Sequence, residues 1–146
     1  RHSRVARSDV HAYTSLGATV TLVAPESLQP PNLEDWPVQI CEDLDSVLPT
    51  FDAVGLLRIQ NERMKEGLVP SVDEYVQRYG MTETRAADLR DEVVIMHPGP
   101  VNRGIEIAET VLDNRKNVLI KQQVTNGVPV RMAVLFRLLG SGVEID

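Results

Sequence analysis

At 146 residues, with 42% hydrophobic and 25% charged side chains, the chain is sized for one domain that buries about 68–70% of its unfolded surface. Its formal charge of −6 argues against a nucleic-acid footprint or an anionic membrane surface, and no apolar run approaches the roughly 18 residues a membrane span needs. The single cysteine, Cys41, excludes an internal disulfide and fits a reducing compartment, so cytoplasm is the expected location.

Residues 3–16 read as a helix: Ser3 caps it, Val5, Ala12, Tyr13 and Leu16 share a face, and Gly17 stops it. Arg1, His2, Arg4 and Arg7 crowd its start, where the backbone dipole is already positive. An anion seated there accounts for the cluster, with a solvated terminus as the alternative. Residues 18–23 (ATVTLV) form a β-branched strand ended by Ala24-Pro25, and Pro30-Pro31 marks a loop. A short strand at 38–41 and a short helix at 43–48 precede a buried strand at 53–58. Residues 61–69 read as a polar loop. Pro70 opens a helix to Gly80, with Val72, Tyr75, Val76 and Tyr79 as its apolar face, and a second helix runs from Thr82 to Leu89. Val93–Met96 is the next buried strand. A helix is expected around Glu106–Leu112, a short apolar piece at 118–120, and a last helix at Val130–Leu139, stopped by Gly140. Strands alternating with helices predict an α/β fold: a doubly wound, mostly parallel sheet with helices on both faces, Rossmann-like. Because a helix with no strand before it comes first, the chain reads as part of a longer polypeptide that lacks the first strand of this domain.

Twelve arginines stand against three lysines. Codon usage in a GC-rich genome would give that skew, and so would several guanidinium forks gripping carboxylates or phosphates; position decides which. The most suggestive position follows the run Ala53-Val54-Gly55-Leu56-Leu57. If that strand continues to Gln60, Arg58 and Gln60 project to one face at its carboxyl end, where open parallel sheets bind ligands. A cation directly after a buried run is costly unless it meets an anion. Arg58 is therefore the first candidate, an internal pair with Glu62 being the alternative. His97-Pro98-Gly99-Pro100 is the second. Its prolines deny helix continuation and two backbone donors, so the loop presents fixed carbonyl oxygens, and Gly99 admits close approach. Without a ligand it would be a rigid turn. Three strand ends would then converge on one sheet edge: Arg58 with Gln60, His97 to Pro100, and the start of the first helix with Arg4. Other chemistries fail. His2, His11, His97 and Cys41 lack metal-ligand spacing, and neither a dinucleotide glycine fingerprint nor a nucleophile elbow is present. His11 is expected on a helix surface, Trp36 in packing, and Glu106 with Glu109 on a solvated helix face.

Four ordered motifs carry a resemblance: His2-Ser3-Arg4-Val5-Ala6-Arg7-Ser8, Leu57-Arg58-Ile59-Gln60-Asn61-Glu62-Arg63, Met96-His97-Pro98-Gly99-Pro100-Val101-Asn102-Arg103-Gly104 and Gln123-Val124-Thr125-Asn126-Gly127-Val128. Essentially the whole chain resembles the carboxyl-terminal, aspartate-binding domain of bacterial aspartate carbamoyltransferases. The sister ornithine enzymes carry His-Cys-Leu-Pro at the third motif, so Pro98 favours the aspartate branch. The resemblance implies that Arg4 grips a substrate carboxylate, Arg58 binds the side-chain carboxylate of L-aspartate, and Gln60 contacts its α-carboxylate. It implies that carbonyls at Pro98 and Gly99 orient the attacking amine and the carbamoyl group, with Arg63 and Arg103 supporting these loops. The implied reaction moves a carbamoyl group from carbamoyl phosphate to aspartate in pyrimidine synthesis, with no metal or organic cofactor. Positioning and electrostatic stabilisation of an anionic transition state would carry it, in a homotrimer of full-length chains. The family's Ser-Thr-Arg-Thr phosphate motif, its catalytic His and a neighbouring subunit's Lys belong to an amino-terminal domain and match nothing in residues 1–146. The segment alone is therefore expected to be inactive. The rival readings are a non-catalytic module that binds dicarboxylates or amino acids and, less favoured, a nicotinamide-cofactor domain.

Overall fold

In the computed structural model, which describes residues 3–59 and 71–140, helix α1 (Arg4–Ser15) starts on a Ser3 cap whose hydroxyl accepts from the Ala6 amide at 3.1 Å. Only Ala6 and Val10 of this helix are buried, and Gly17, at φ +85°, turns the chain away from it. Strand β1 (Thr21–Val23) pairs in parallel with β2 (Gln39–Cys41). Helix α2 (Leu44–Val47) follows, capped by Asp43, and Leu44 and Leu48 enter the core. Strand β3 (Ala53–Gly55) pairs in parallel with β4 (Val94–Met96), setting Val54 opposite Ile95 and Gly55 opposite Met96. The crossover that parallel pairing demands contains α3 (Val72–Tyr79) and α4 (Glu83–Asp88). The other edge of Ile95 is also bonded: its N–H donates to Asn117 O and its C=O accepts from Leu119 N–H, each at 2.9 Å. Helices α5 (Glu109–Asn114) and α6 (Ile120–Leu139) come last.

The α/β class and parallel pairing match the sequence expectation. One core cluster joins Leu44 and Leu48 to Val54, Leu56, Val93 and Ile95 from the strands and to Met81, Ala86, Leu89, Ile107 and Val111 from the helical side. Met81, Ile95 and Ile107 are fully enclosed, so a methylene lost there is felt; Ile95→Ala would cost about 2–5 kcal/mol. Arg85 of α4 is also buried. Its guanidinium binds both Asp45 oxygens, at 2.5 and 2.9 Å, and donates to Gly80 O and Gln77 O, both at 2.7 Å. These carbonyls end α3, so one cation caps that helix and locks it to α2 and α4.

Several expectations need correction or trimming: β1 begins at Thr21 rather than at residue 18, and Val5 and Leu16 of the face expected on the first helix are exposed. The ladder of β3 stops at Gly55, with Leu56 N–H still reaching Met96 O at 2.8 Å, so Arg58 lies beyond the strand. The helix expected from Glu106 begins only at Glu109, because residues 102–107 close a turn around Gly104 at φ +77°. Glu106 is 1% exposed and does not share a solvated face with Glu109. The last helix begins at Ile120 rather than Val130 and runs through Gly127 and Pro129. Gly and Pro disfavour a helix interior by about 1 and 3 kcal/mol. Here the amino-terminal half is pinned to the sheet by Leu119 and Gln123, and Gln122 bonds Asn126 one turn on. The expected loop at 61–69, Pro70 and the cluster members Arg1 and His2 lie outside the described residues.

Candidate functional site

Because β3 and β4 run the same way, both release their chains at one sheet edge, the carboxyl edge where such sheets hold ligands. Arg58 comes three residues after Gly55, and the His97–Pro100 loop follows Met96, the residue opposite Gly55. Leu56 and Ile59 are buried on either side of Arg58, which is itself exposed. Among the described residues no hydrogen bond or ion pair engages the Arg58 guanidinium. A fixed backbone thus carries a cation that no described residue neutralises.

The facing loop is held from two directions. His97 N–H donates to Gln123 Oε1 of α6 at 2.9 Å, and Gly99 N–H donates to His97 Nδ1 at 2.8 Å. Gly99 takes φ +70°, a conformation strained for any residue with a Cβ, and an added Cβ would lie 3.6 Å from Val124 Cγ2. The Gly99–Pro100 peptide is cis. With the Gly99 N–H turned inward and two prolines lacking one, the Pro98 and Gly99 carbonyls remain free of hydrogen bonds among the described residues. The edge therefore offers acceptors from one segment and a cation from the other.

His97 is fully buried. Since Nδ1 accepts from Gly99, the neutral ring carries its proton on Nε2, which has no hydrogen-bond partner among the described residues and lies 3.8 Å from Glu106 Oε2. Burial pushes the imidazole below its ordinary range; Glu106 pulls it back up and Arg58 pushes it further down. The cation of Arg58 is thus felt at the loop's first residue.

Glu106 ties the two segments together. Its Oε1 accepts from Ile59 N–H at 2.9 Å and from Asn102 Nδ2 at 2.7 Å, and its Oε2 accepts from Asn102 N–H at 2.7 Å. Asn102 Nδ2 also donates to Ile59 O at 3.0 Å. Tyr75 of α3 lies close enough for Glu106 to add to the upward push that burial gives its phenol. Sequence reasoning missed this residue. The available signal was an Asn followed four residues later by Glu across Gly104, too broken a stretch for the helix face assumed.

Of the residues singled out from sequence, Arg58, Pro98 and Gly99 meet at this edge. Arg4 is exposed on the first turn of α1, with no hydrogen bond or ion pair joining it to them among the described residues. Gln60 and Arg63 lie outside the described residues. Arg103 reaches from the loop's far end to Asp113 of α5 at 3.0 and 3.2 Å, both side chains about half exposed. His11 is exposed, and Trp36 packs under the Arg7 guanidinium at 5.3 Å. Among the described residues no three His, Cys, Asp or Glu side chains converge as metal ligands, and no helix is long and apolar enough to cross a membrane.

Residues 1–138 match the family model described as the aspartate/ornithine carbamoyltransferase Asp/Orn-binding domain. The chain is 53% identical over 139 residues to the aspartate carbamoyltransferase catalytic subunit of a Nocardioides species, covering 95% of this chain and 43% of that one. It is 51% identical over 144 residues to that of Thermobifida fusca, covering 99% and 46%. The chain thus spans somewhat less than half the length of these relatives. Among solved structures, ornithine carbamoyltransferase from Pyrococcus furiosus aligns at a TM-score of 0.78 with 20% identity, over 95% of this chain and 47% of that one. Aspartate transcarbamoylase from Trypanosoma cruzi in complex with carbamoyl phosphate aligns at 0.66 with 26% identity, over 81% and 39%. The first of these likenesses speaks for the fold alone. The sequence match over nearly all of the chain speaks for more: the chain belongs to the Asp/Orn-binding domain family of the aspartate/ornithine carbamoyltransferases.

Proposed function

We propose that this chain is the aspartate-binding half of an aspartate carbamoyltransferase, which transfers a carbamoyl group from carbamoyl phosphate to the amine of L-aspartate. One observation carries the reading: Arg58 and the carbonyls of Pro98 and Gly99, none of them engaged among the described residues, stand at the shared carboxyl edge of β3 and β4. A dicarboxylate amine has the complementary chemistry. The guanidinium takes its side-chain carboxylate, and the carbonyls accept from the amine and from the carbamoyl N–H groups. Gln60 would hold the α-carboxylate and Arg4 a second carboxylate, with Arg63 and Arg103 bracing the loops. Names of relatives at 51–53% identity support aspartate over ornithine, as does Pro98. The carbamoyl-phosphate site, a first strand for this sheet and the rest of a homotrimer would come from the longer polypeptide, working in the cytoplasm without a metal or organic cofactor.

The test has two arms. Titration of the 146-residue chain with L-aspartate, followed by amide chemical shifts, should perturb residues 56–59 and 97–104. Supplied with saturating aspartate and carbamoyl phosphate, the same chain should show no turnover, whereas the longer polypeptide that contains it should form carbamoyl aspartate. Turnover by the short chain would overturn the half-site reading. Aspartate binding by the longer polypeptide without turnover would favour a non-catalytic dicarboxylate module.

A further inference from the structure

Glu106 is the one fully buried acid among the described residues; the basic side chain beside it there is His97, whose Nε2 lies 3.8 Å from Oε2, beyond hydrogen-bond reach. Burying a carboxyl group is costly unless its oxygens are saturated by donors. Here three N–H groups saturate them, and every one belongs either to Ile59, directly after Arg58, or to Asn102, directly after the His97–Val101 stretch. The placement matters because the sheet no longer holds the chain there. The last sheet bond on this side is Leu56 N–H to Met96 O, so residues 57–59 have no ladder partner among the described residues. Ile59 is clamped at both main-chain groups instead, its N–H by Glu106 and its C=O by Asn102.

We infer that Glu106, through Asn102 and the Ile59 backbone, is a positioning residue for aspartate, setting the distance between the Arg58 guanidinium and the Pro98–Gly99 carbonyls. The inference rests on the functional reading above and deepens it. Aspartate spans the two segments, so an error in their separation misplaces the amine when the carboxylate is gripped. Carbamoyl phosphate does not depend on that separation for its phosphate contacts. Loss of the clamp therefore falls on aspartate.

The experiment uses the longer polypeptide containing this domain. In Glu106→Gln an amide NH2 replaces one accepting oxygen and opposes a donor. It should raise KM for aspartate about tenfold or more, lower kcat less, and leave KM for carbamoyl phosphate within about twofold. Asn102→Ala, which keeps both backbone bonds to Glu106 but removes the side-chain bridge to Ile59 O, should shift the same parameter in the same direction by less. In an Arg58→Ala background, Glu106→Gln should cost little further kcat/KM, because the group it positions is gone. A lowered melting temperature with parental KM for aspartate in both variants would overturn the inference and leave Glu106 as a folding element. So would full additivity with Arg58→Ala, or failure of both variants to fold. An unmodified polypeptide that does not turn over aspartate would instead sink the functional reading itself.

Discussion

Arg58 is proposed as a ligand group rather than half of a structural ion pair, and Glu62, the alternative partner, lies outside the described residues. Buried neighbours fix its backbone, its head is exposed, and its charge is unspent among the described residues. In the longer polypeptide, Arg58→Ala should lower kcat/KM for aspartate about 10–100-fold, the value of a charge-assisted bond at roughly 1.5–3 kcal/mol. Arg58→Lys should rescue only partly, since an ammonium lacks the two-pronged fork. Melting temperature measured beside the kinetics decides the matter: a large fall with near-parental kinetics would mean a structural pair. His97 predicts a pH effect. Its folded-state value lies below the ordinary imidazole value, so the unfolded chain takes up a proton that the folded chain refuses. Stability should be flat above about pH 6.5 and fall as pH drops below it toward the folded value. His97→Asn keeps an acceptor for Gly99 N–H without a titrating ring. Thermal unfolding from pH 8 to 5 should show a shallower loss for that variant.

At the level of elements, the arginine excess resolves into two populations. Arg78, Arg85, Arg90, Arg103 and Arg115 are engaged by carboxylates or main-chain carbonyls of the domain, whereas among the described residues Arg4 and Arg58 are not. Arg85 matters most for stability, because it ends α3 and is itself buried. Arg85→Met should cost about 2–3 kcal/mol in urea unfolding, by stranding the α3 carbonyls, with KM for aspartate unchanged. Asp45→Asn should cost less than about 1 kcal/mol, since Asp45 is 61% exposed and water replaces much of the pair. Equal losses would place the energy in the ion pair rather than in the helix cap.

Across the whole molecule, the carboxyl-terminal half of α6 is out of keeping with the rest. Val130, Met132, Val134, Leu135, Phe136, Leu138 and Leu139 are each at least 50% exposed, and they lie all around the helix. A helix apolar on every side needs cover on more than one side. In the 146-residue chain, amides of residues 130–139 should therefore exchange faster than those of 93–96. In the longer polypeptide the difference should shrink if the remaining half packs against this helix. Equal protection in the short chain would mean that α6 is stable without cover.

Periodicity and punctuation in the residues alone determined the α/β order of elements, the Ser3 and Thr82 helix starts and the stop at Gly17, because these depend on neighbours within a few positions. Arg58 and His97–Pro100 were legible as candidates for the same reason: each follows a short buried run, and a charge or a proline pair in that place is locally anomalous. That they stand at one edge required the parallel register of Gly55 on Met96. The unbroken α6 and the buried Glu106 were not legible at all. Local preference opposes a helix through Gly127 and Pro129, and tertiary bonds from Leu119 and Gln123 override it. A glutamate is solvated by default; only the fold supplies donors 47 residues away, at Ile59, and four residues away, at Asn102, that together make its burial affordable.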